Sequence, residues 1–131
     1  MIAIIDTNFL PRYFIDSQTV GEESKTIFED KSNFLIIPSI VLVELKYAIA
    51  KGRFPQESLA QTLKLVAKGN CMLCPLDEKL IDYIPLELDI HDGIIFATAA
   101  IQKKNFDDIV CILTKDKKIK ELKQDLIKVI W

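Results

Sequence analysis

Five short runs rich in apolar residues recur along this chain, too far apart to be joined by hairpin turns. They are IAIID at 2–6, FLIIP at 34–38, CMLC at 71–74, IVCIL at 109–113 and LIKVIW at 126–131. A strand that faces water on one side alternates apolar and polar residues, whereas a strand covered on both sides does not. The segments between the runs carry helix signals. The pattern predicts helices over 20–31, with Val20, Ile27 and Phe28 on the apolar side, and from Ser39, as cap, to about Lys51, where Gly52 stops it. Further helices are expected from Pro55 to about Lys68, with Gly69 as the stop, over 77–83, over 91–104 capped by Asp89, and over 117–124. Strands separated by helices imply right-handed crossovers and a parallel sheet covered on both faces. Ligands of such sheets bind at the carboxyl ends of the strands.

Size and composition keep the expectation to one domain, 1–131. A chain of 131 residues buries a real core, and five prolines with four glycines leave no room for a disordered tract. No apolar run approaches the roughly 20 residues of a membrane span. The start, MIAIID, has no basic stretch before its apolar run and does not read as a secretion signal. Three cysteines form no disulfide framework, and one histidine with one CMLC stretch argues against zinc or thioredoxin-like redox chemistry. A reducing cytoplasm fits this usage. The net charge of −2 hides a basic end: residues 101–131 carry eight lysines against five acids. That cluster is either a solvated helix face or a phosphate-attracting rim, with Lys115, Lys117 and Lys118 as candidate phosphate contacts.

Four acids stand where a soluble chain rarely puts them. Asp6 closes the first run, Glu44 lies inside IVLVEL, Asp92 opens DGIIFATAAI, and Asp116 follows the fourth run with two residues between. Each has an ordinary explanation. Asp6 can cap a helix beginning at Thr7, Asp92 can complement a helix dipole, and Asp116 can be a turn residue. Glu44 has the fewest such explanations, because Ile40, Val41, Leu42, Val43 and Leu45 leave that helix little polar face. It must pair with Lys46 or Lys51, or point into a polar cavity. Together the four acids sit at matching ends of their elements, so they are expected to share one edge of the sheet. Clustered carboxylates repel, so at least one pKa should rise, and a cation should be needed to hold them together.

At these residues the chain resembles a known family. Asp6-Thr7-Asn8 after an apolar strand, Val43-Glu44-Leu45 on a helix, His91-Asp92 with Ala97-Thr98-Ala99 following, and Leu113-Thr114-Lys115-Asp116 are similar to the motifs of PIN domains. Among these the VapC-type toxin ribonucleases of toxin–antitoxin pairs are most alike. The resemblance runs the length of the chain, in order. It implies a three-layer α/β/α fold around a five-stranded parallel sheet, and Mg²⁺- or Mn²⁺-dependent endonucleolytic cleavage of RNA. It carries the catalytic acids over to Asp6, Glu44, Asp92 and Asp116, and the polar partners to Asn8 and Thr114. It also implies a small antitoxin partner, with an arginine reaching the acids, and a homodimer. The apolar stretches 36–49 and 59–66 are the candidate interface helices. Gly93 departs softly from the pattern, since many relatives carry alanine there, and is expected to loosen the helix start.

The residue types support the same chemistry. An all-carboxylate site suits hard cations such as Mg²⁺ and Mn²⁺. Asp6 and Asp92 are the expected ligands, with Glu44 and Asp116 completing the site or holding a second ion. Thr114 is expected to orient Asp6 or Asp116, and Asn8 to do the same or touch phosphate. In-line attack by an activated water predicts a 5′-phosphate and a 3′-hydroxyl. No Gly-x-Ser-x-Gly elbow accompanies His91, and no phosphate-binding glycine loop is present. A non-cutting PIN-like module that binds RNA or a partner is the alternative. A phospho-receiver fits less well, because its third strand should end in an acid and here ends in Cys74-Pro75.

Overall fold

A computed structural model describes residues 1–122 and 126–131. All five expected strands form and pair in parallel: β1 (Ile2–Ile5), β2 (Phe34–Pro38), β3 (Cys71–Cys74), β4 (Val110–Leu113) and β5 (Ile127–Ile130). Their order across the sheet is β3-β2-β1-β4-β5. Every residue of β1 and β4 is buried, as continuous apolar runs require of strands covered on both faces, whereas β3 and β5 at the edges are only partly buried.

The helices are α1 (Phe9–Ile15), α2 (Glu22–Glu29), α3 (Ser39–Ala50), α4 (Ser58–Val66), α5 (Glu78–Ile81), α6 (Ile90–Asn105) and α7 (Lys117–Glu121), with a single 3-10 turn at Ser17–Val20. The chain steps outward from β1 to β3, then crosses back to β4 and on to β5. Right-handed crossovers of opposite direction place their helices on opposite faces, which gives the three-layer α/β/α sandwich. The core joins Ile4, Ile5, Ile36, Ile112 and Leu113 of the sheet to Phe9 and Leu10 of α1 and Ile95 and Phe96 of α6. No helix among the described residues is long and apolar enough to cross a membrane.

Several boundaries differ from the sequence expectation. Helix α1 was expected only as something Asp6 might cap; it is short, and Pro11 stands in its first turn, where a missing N–H costs nothing. The expected helix 20–31 begins only at Glu22, because Gly21 takes φ 75° and separates it from the 3-10 turn. Ser39 does not cap α3; its hydroxyl donates to the Cys74 carbonyl at 2.8 Å and ties α3 to the edge strand. Helix α4 begins at Ser58, three residues after Pro55. Residues 123 and 124 of the expected helix 117–124 lie outside the described residues, as does Lys123 of the basic set. The capping of α6 by Asp89 is as expected, with its side chain accepting from the Asp92 N–H at 3.0 Å.

Gly93 is explained by packing. A Cβ at this position would lie 3.0 Å from Ile84 Cγ2, so the glycine admits the α5–α6 connection against the helix.

Candidate active site

The order in which strands are added to the sheet reverses between β1 and β4, and at such a switch point the two neighbouring strand ends leave a crevice. Asp6 sits there, directly after β1, only 7% exposed. It does not cap a helix. Its Oδ1 accepts from the Thr7 N–H at 2.6 Å and its Oδ2 accepts from the Thr114 hydroxyl at 2.6 Å. Burial pushes its pKa up; the bonds from Thr114 and Thr7 oppose this, and the charge of Asp116 adds to it.

Thr114 follows β4 and is wholly buried. While donating to Asp6, its oxygen accepts the Asp116 N–H at 2.9 Å. One hydroxyl therefore fixes both an acid side chain and the backbone of the next acid. Asp116 combines the ordinary and the sharper reading: its Oδ1 caps α7, accepting from the N–H groups of Lys118 at 2.7 Å and Ile119 at 3.1 Å, while its charge acts on Asp6 and Asp92.

Asp92 lies in the first turn of α6, half-buried. Its pKa is pushed up to about 6, first by burial and then by the charges of Asp116, Asp89, Asp6 and Glu44. Glu44, on α3, pairs with neither Lys46 nor Lys51. Its Oε2 lies 3.7 Å from His91 Nδ1, an ion pair only when the imidazole is protonated. Burial raises the Glu44 pKa, with Asp6 and Asp89 adding to the rise and His91 opposing it. The nearby Thr7 hydroxyl also opposes the rise, but the approach is not a hydrogen bond, since Thr7 Oγ1 and Glu44 Oε1 are both buried without a partner.

The four acids thus act on one another across one sheet edge, and the expected rise in pKa falls on Asp6, Glu44 and Asp92. Two neighbours were not assigned from sequence. Asp89 is a fifth acid of the cluster, legible only as a helix cap, and His91 faces Glu44 from the next helix. Asn8 makes no side-chain hydrogen bond to the acids among the described residues; it is exposed in the groove beside them. Lys117 and Lys118 are exposed at the start of α7, while the Lys115 ammonium lies 4.9 Å from the centre of the Trp131 ring. Burial raises the Cys71 and Cys111 thiols to about 11, which leaves them protonated and poor nucleophiles.

The donor set fits a hard divalent cation. It is all oxygen, three of its acids are held above their ordinary pKa by burial and by one another, and Glu44 Oε1 is a buried acceptor with nothing to accept from. Among the described residues no three acid, histidine or cysteine side chains form a ready-made cage. Mg²⁺ needs none, since it keeps several waters and takes only one or two carboxylates.

No curated protein sequence matches this chain. Among solved structures, a chain of VapBC2 from Rickettsia felis, crystallised bound to a DNA fragment from their promoter, shares the fold with a TM-score of 0.63; the match covers 100% of both chains at 20% identity. The family profile of the PIN domain matches residues 3–124, from the second residue of β1 to just short of β5. With that span covered, the chain belongs to the PIN domain family.

Proposed function

We propose that this protein is a divalent-metal-dependent endoribonuclease and the toxin of a VapBC-type toxin–antitoxin pair. The observation that carries the reading is the convergence of Asp6, Glu44, Asp92 and Asp116 on one sheet edge, where burial and then the charges of neighbouring acids push the pKa values of Asp6, Glu44 and Asp92 up. Asp6 and Asp92 are the residues that would hold Mg²⁺ or Mn²⁺, with Glu44 and Asp116 completing the site. The ion supplies charge to offset the phosphate and to acidify an attacking water. Thr114 and the Thr7 N–H keep both Asp6 oxygens in place, so the carboxylate does not have to reorganise during the reaction. Lys117 and Lys118, beside Asp116, attract the RNA backbone.

An antitoxin partner is supported by family membership and by the VapBC2 likeness. Its C-terminal segment would enter the acid edge and present an arginine to the carboxylates. A homodimer is proposed through Val43 of α3 and Leu63 of α4, both exposed apolar residues of the two candidate stretches. Ile36, Ile37, Val41, Leu45 and Ala48 of the same stretch are committed to the core. A monomeric mass by light scattering at micromolar concentration would count against the dimer. Cytoplasmic placement accords with three free cysteines.

A second reading, a PIN fold that binds RNA or a partner without cutting, draws on the lack of a ready-made cage among the described residues. One experiment separates the two. Total RNA is incubated with the purified protein and with Asp6→Asn, in Mg²⁺, in Mn²⁺ and in chelator. The nuclease reading expects cleavage by the unmodified protein only, abolished by chelator. Equal, metal-independent cleavage by both proteins rejects it, and retention of RNA without cleavage selects the second reading.

A further inference from the structure

A groove of about 840 Å³ opens directly beside the acids, sharing Thr7, Glu44 and His91 with them. Away from the acids its lining changes sign. Arg12 of α1, and Lys51 and Arg53 of the α3–α4 connection, stand against Glu44 as its one carboxylate. All three cations are exposed, and none is in an ion pair among the described residues. Tyr47, 65% exposed, and the half-buried Phe54 line the same groove.

The placement is built into the backbone. Helix α3 ends in a Schellman turn: the Gly52 N–H bonds the Ile49 carbonyl and the Arg53 N–H bonds the Ala48 carbonyl, each at 2.9 Å, with Gly52 at φ 73°. That turn carries Lys51, Arg53 and Phe54 past the end of the helix on which Glu44 stands. The groove lies on the β2 side of Asp6, because Glu44 belongs to the helix after β2, whereas Lys117 and Lys118 follow β4 on the other side.

We propose that this groove is a track for single-stranded RNA, in which Arg12, Lys51 and Arg53 hold backbone phosphates and Tyr47 and Phe54 stack on bases. The assignment rests on the nuclease reading for its substrate and extends it to the far side of the acids from Lys117 and Lys118. Free cations attract phosphate, and aromatic rings in the same groove match the planar bases of a strand that is not paired. A duplex keeps its base faces stacked inside and offers nothing to the two rings.

The test measures binding in the Asp6→Asn background, without divalent ions, by anisotropy of a labelled oligouridine strand. R12A/K51A/R53A is expected to lower affinity at least about tenfold and to reduce the slope of log affinity against log salt by about two, at about 0.7 for each phosphate no longer held. Y47A/F54A is expected to lower affinity about tenfold with the slope unchanged. K31A/K64A/K68A removes the same charge from the cleft between α2 and α4 near the starts of β2 and β3, and is expected to stay within about twofold. Equal losses from the two charge-removing variants overturn the assignment. So does binding of the duplex with oligoadenosine, or of an oligoglutamate of equal charge, as tight as that of the single strand. Cleavage by the unmodified protein is assayed separately. Absence of cutting with the binding pattern intact rejects the nuclease reading alone, and cutting with the binding pattern lost rejects the track alone.

Discussion

The Thr114 hydroxyl donates to Asp6 Oδ2 at 2.6 Å across 108 positions of sequence, and the same oxygen accepts the Asp116 N–H. It bridges the ends of β1 and β4, between which the strand order switches, and both of its partners belong to the acid cluster.

Thr114→Val keeps the shape and removes that hydroxyl. Asp6 Oδ2 and the Asp116 N–H then lose their partner in a buried place, at a cost of about 1–3 kcal/mol. The Asp6 pKa rises further, since the Thr114 bond is the largest influence lowering it. Urea unfolding is expected to show the loss for valine and to recover most of it for Thr114→Ser. Equal stability of the two variants would remove the hydroxyl from the argument.

Asp92 titrates at about 6 in the fold against 3.8 in the unfolded chain. A carboxyl whose folded pKa is raised favours the folded state most when protonated. Stability from this group is therefore complete below pH 3.8 and falls as pH rises through 6. Asp92→Asn is expected to raise metal-free stability above pH 6. The gain is about 1 kcal/mol once solvent screening of this half-exposed group is allowed for, or about 4 °C in melting temperature. The gain should vanish below pH 4; a gain constant across that window would point to some cause other than charge.

Divalent ions should act in the opposite sense. At about a hundredfold excess over their dissociation constant, Mg²⁺ or Mn²⁺ should stabilise the unmodified protein by about 2.7 kcal/mol at neutral pH. The stabilisation should shrink as pH falls below the Asp92 pKa and in Asp6→Asn, because protonated or neutral groups are poor ligands. Thermal melts in matched ionic strength, with K⁺ as control, read this without any substrate. An equal response to K⁺ would leave only general screening.

Gly93→Ala tests the close approach at α6. Alanine improves helix propensity by about 1 kcal/mol. Its Cβ would meet Ile84 Cγ2 at 3.0 Å, on a branch fixed to the backbone of the α5–α6 connection. The expectation is a net loss of about 1 kcal/mol, since relief requires moving that connection. Adding Ile84→Ala should turn the substitution favourable relative to Ile84→Ala alone, which a double-mutant cycle measures.

The strands were the most legible part of this chain, because burial on both faces writes itself as an unbroken apolar run and nothing at longer range alters it. Helix α1 was obscured by its length and by Pro11. At the site, Asp6 and Thr114 were legible as a pair because both sit at strand ends, where the topology alone brings them to one edge. The partner of Glu44 was not. Lys46 and Lys51 were the near choices along the helix, but the contact goes to His91 on another helix, and local spacing carries no record of how two helices cross. Asp89 was read as a cap, which it is; its second role, as a charge acting on Glu44 as well as on Asp92 of its own helix, follows only from the approach of α6 to α3. Ser39 is not a cap because the helix already begins at it, with Pro38 in the cap position, and its hydroxyl donates to the Cys74 carbonyl instead.

Asp116 spends one oxygen on α7 before any ligand arrives. With Oδ1 bound to two backbone amides, Oδ2 is the oxygen left without a hydrogen bond among the described residues, so this residue enters any coordination sphere as a one-toothed donor. A ligand that demanded both oxygens would have to unwind the first turn of a helix only five residues long. One-toothed coordination leaves that turn wound, so an ion can come and go at this corner without loosening the helix. Amide hydrogen exchange of Lys118 and Ile119, unchanged by ion concentration, would report it.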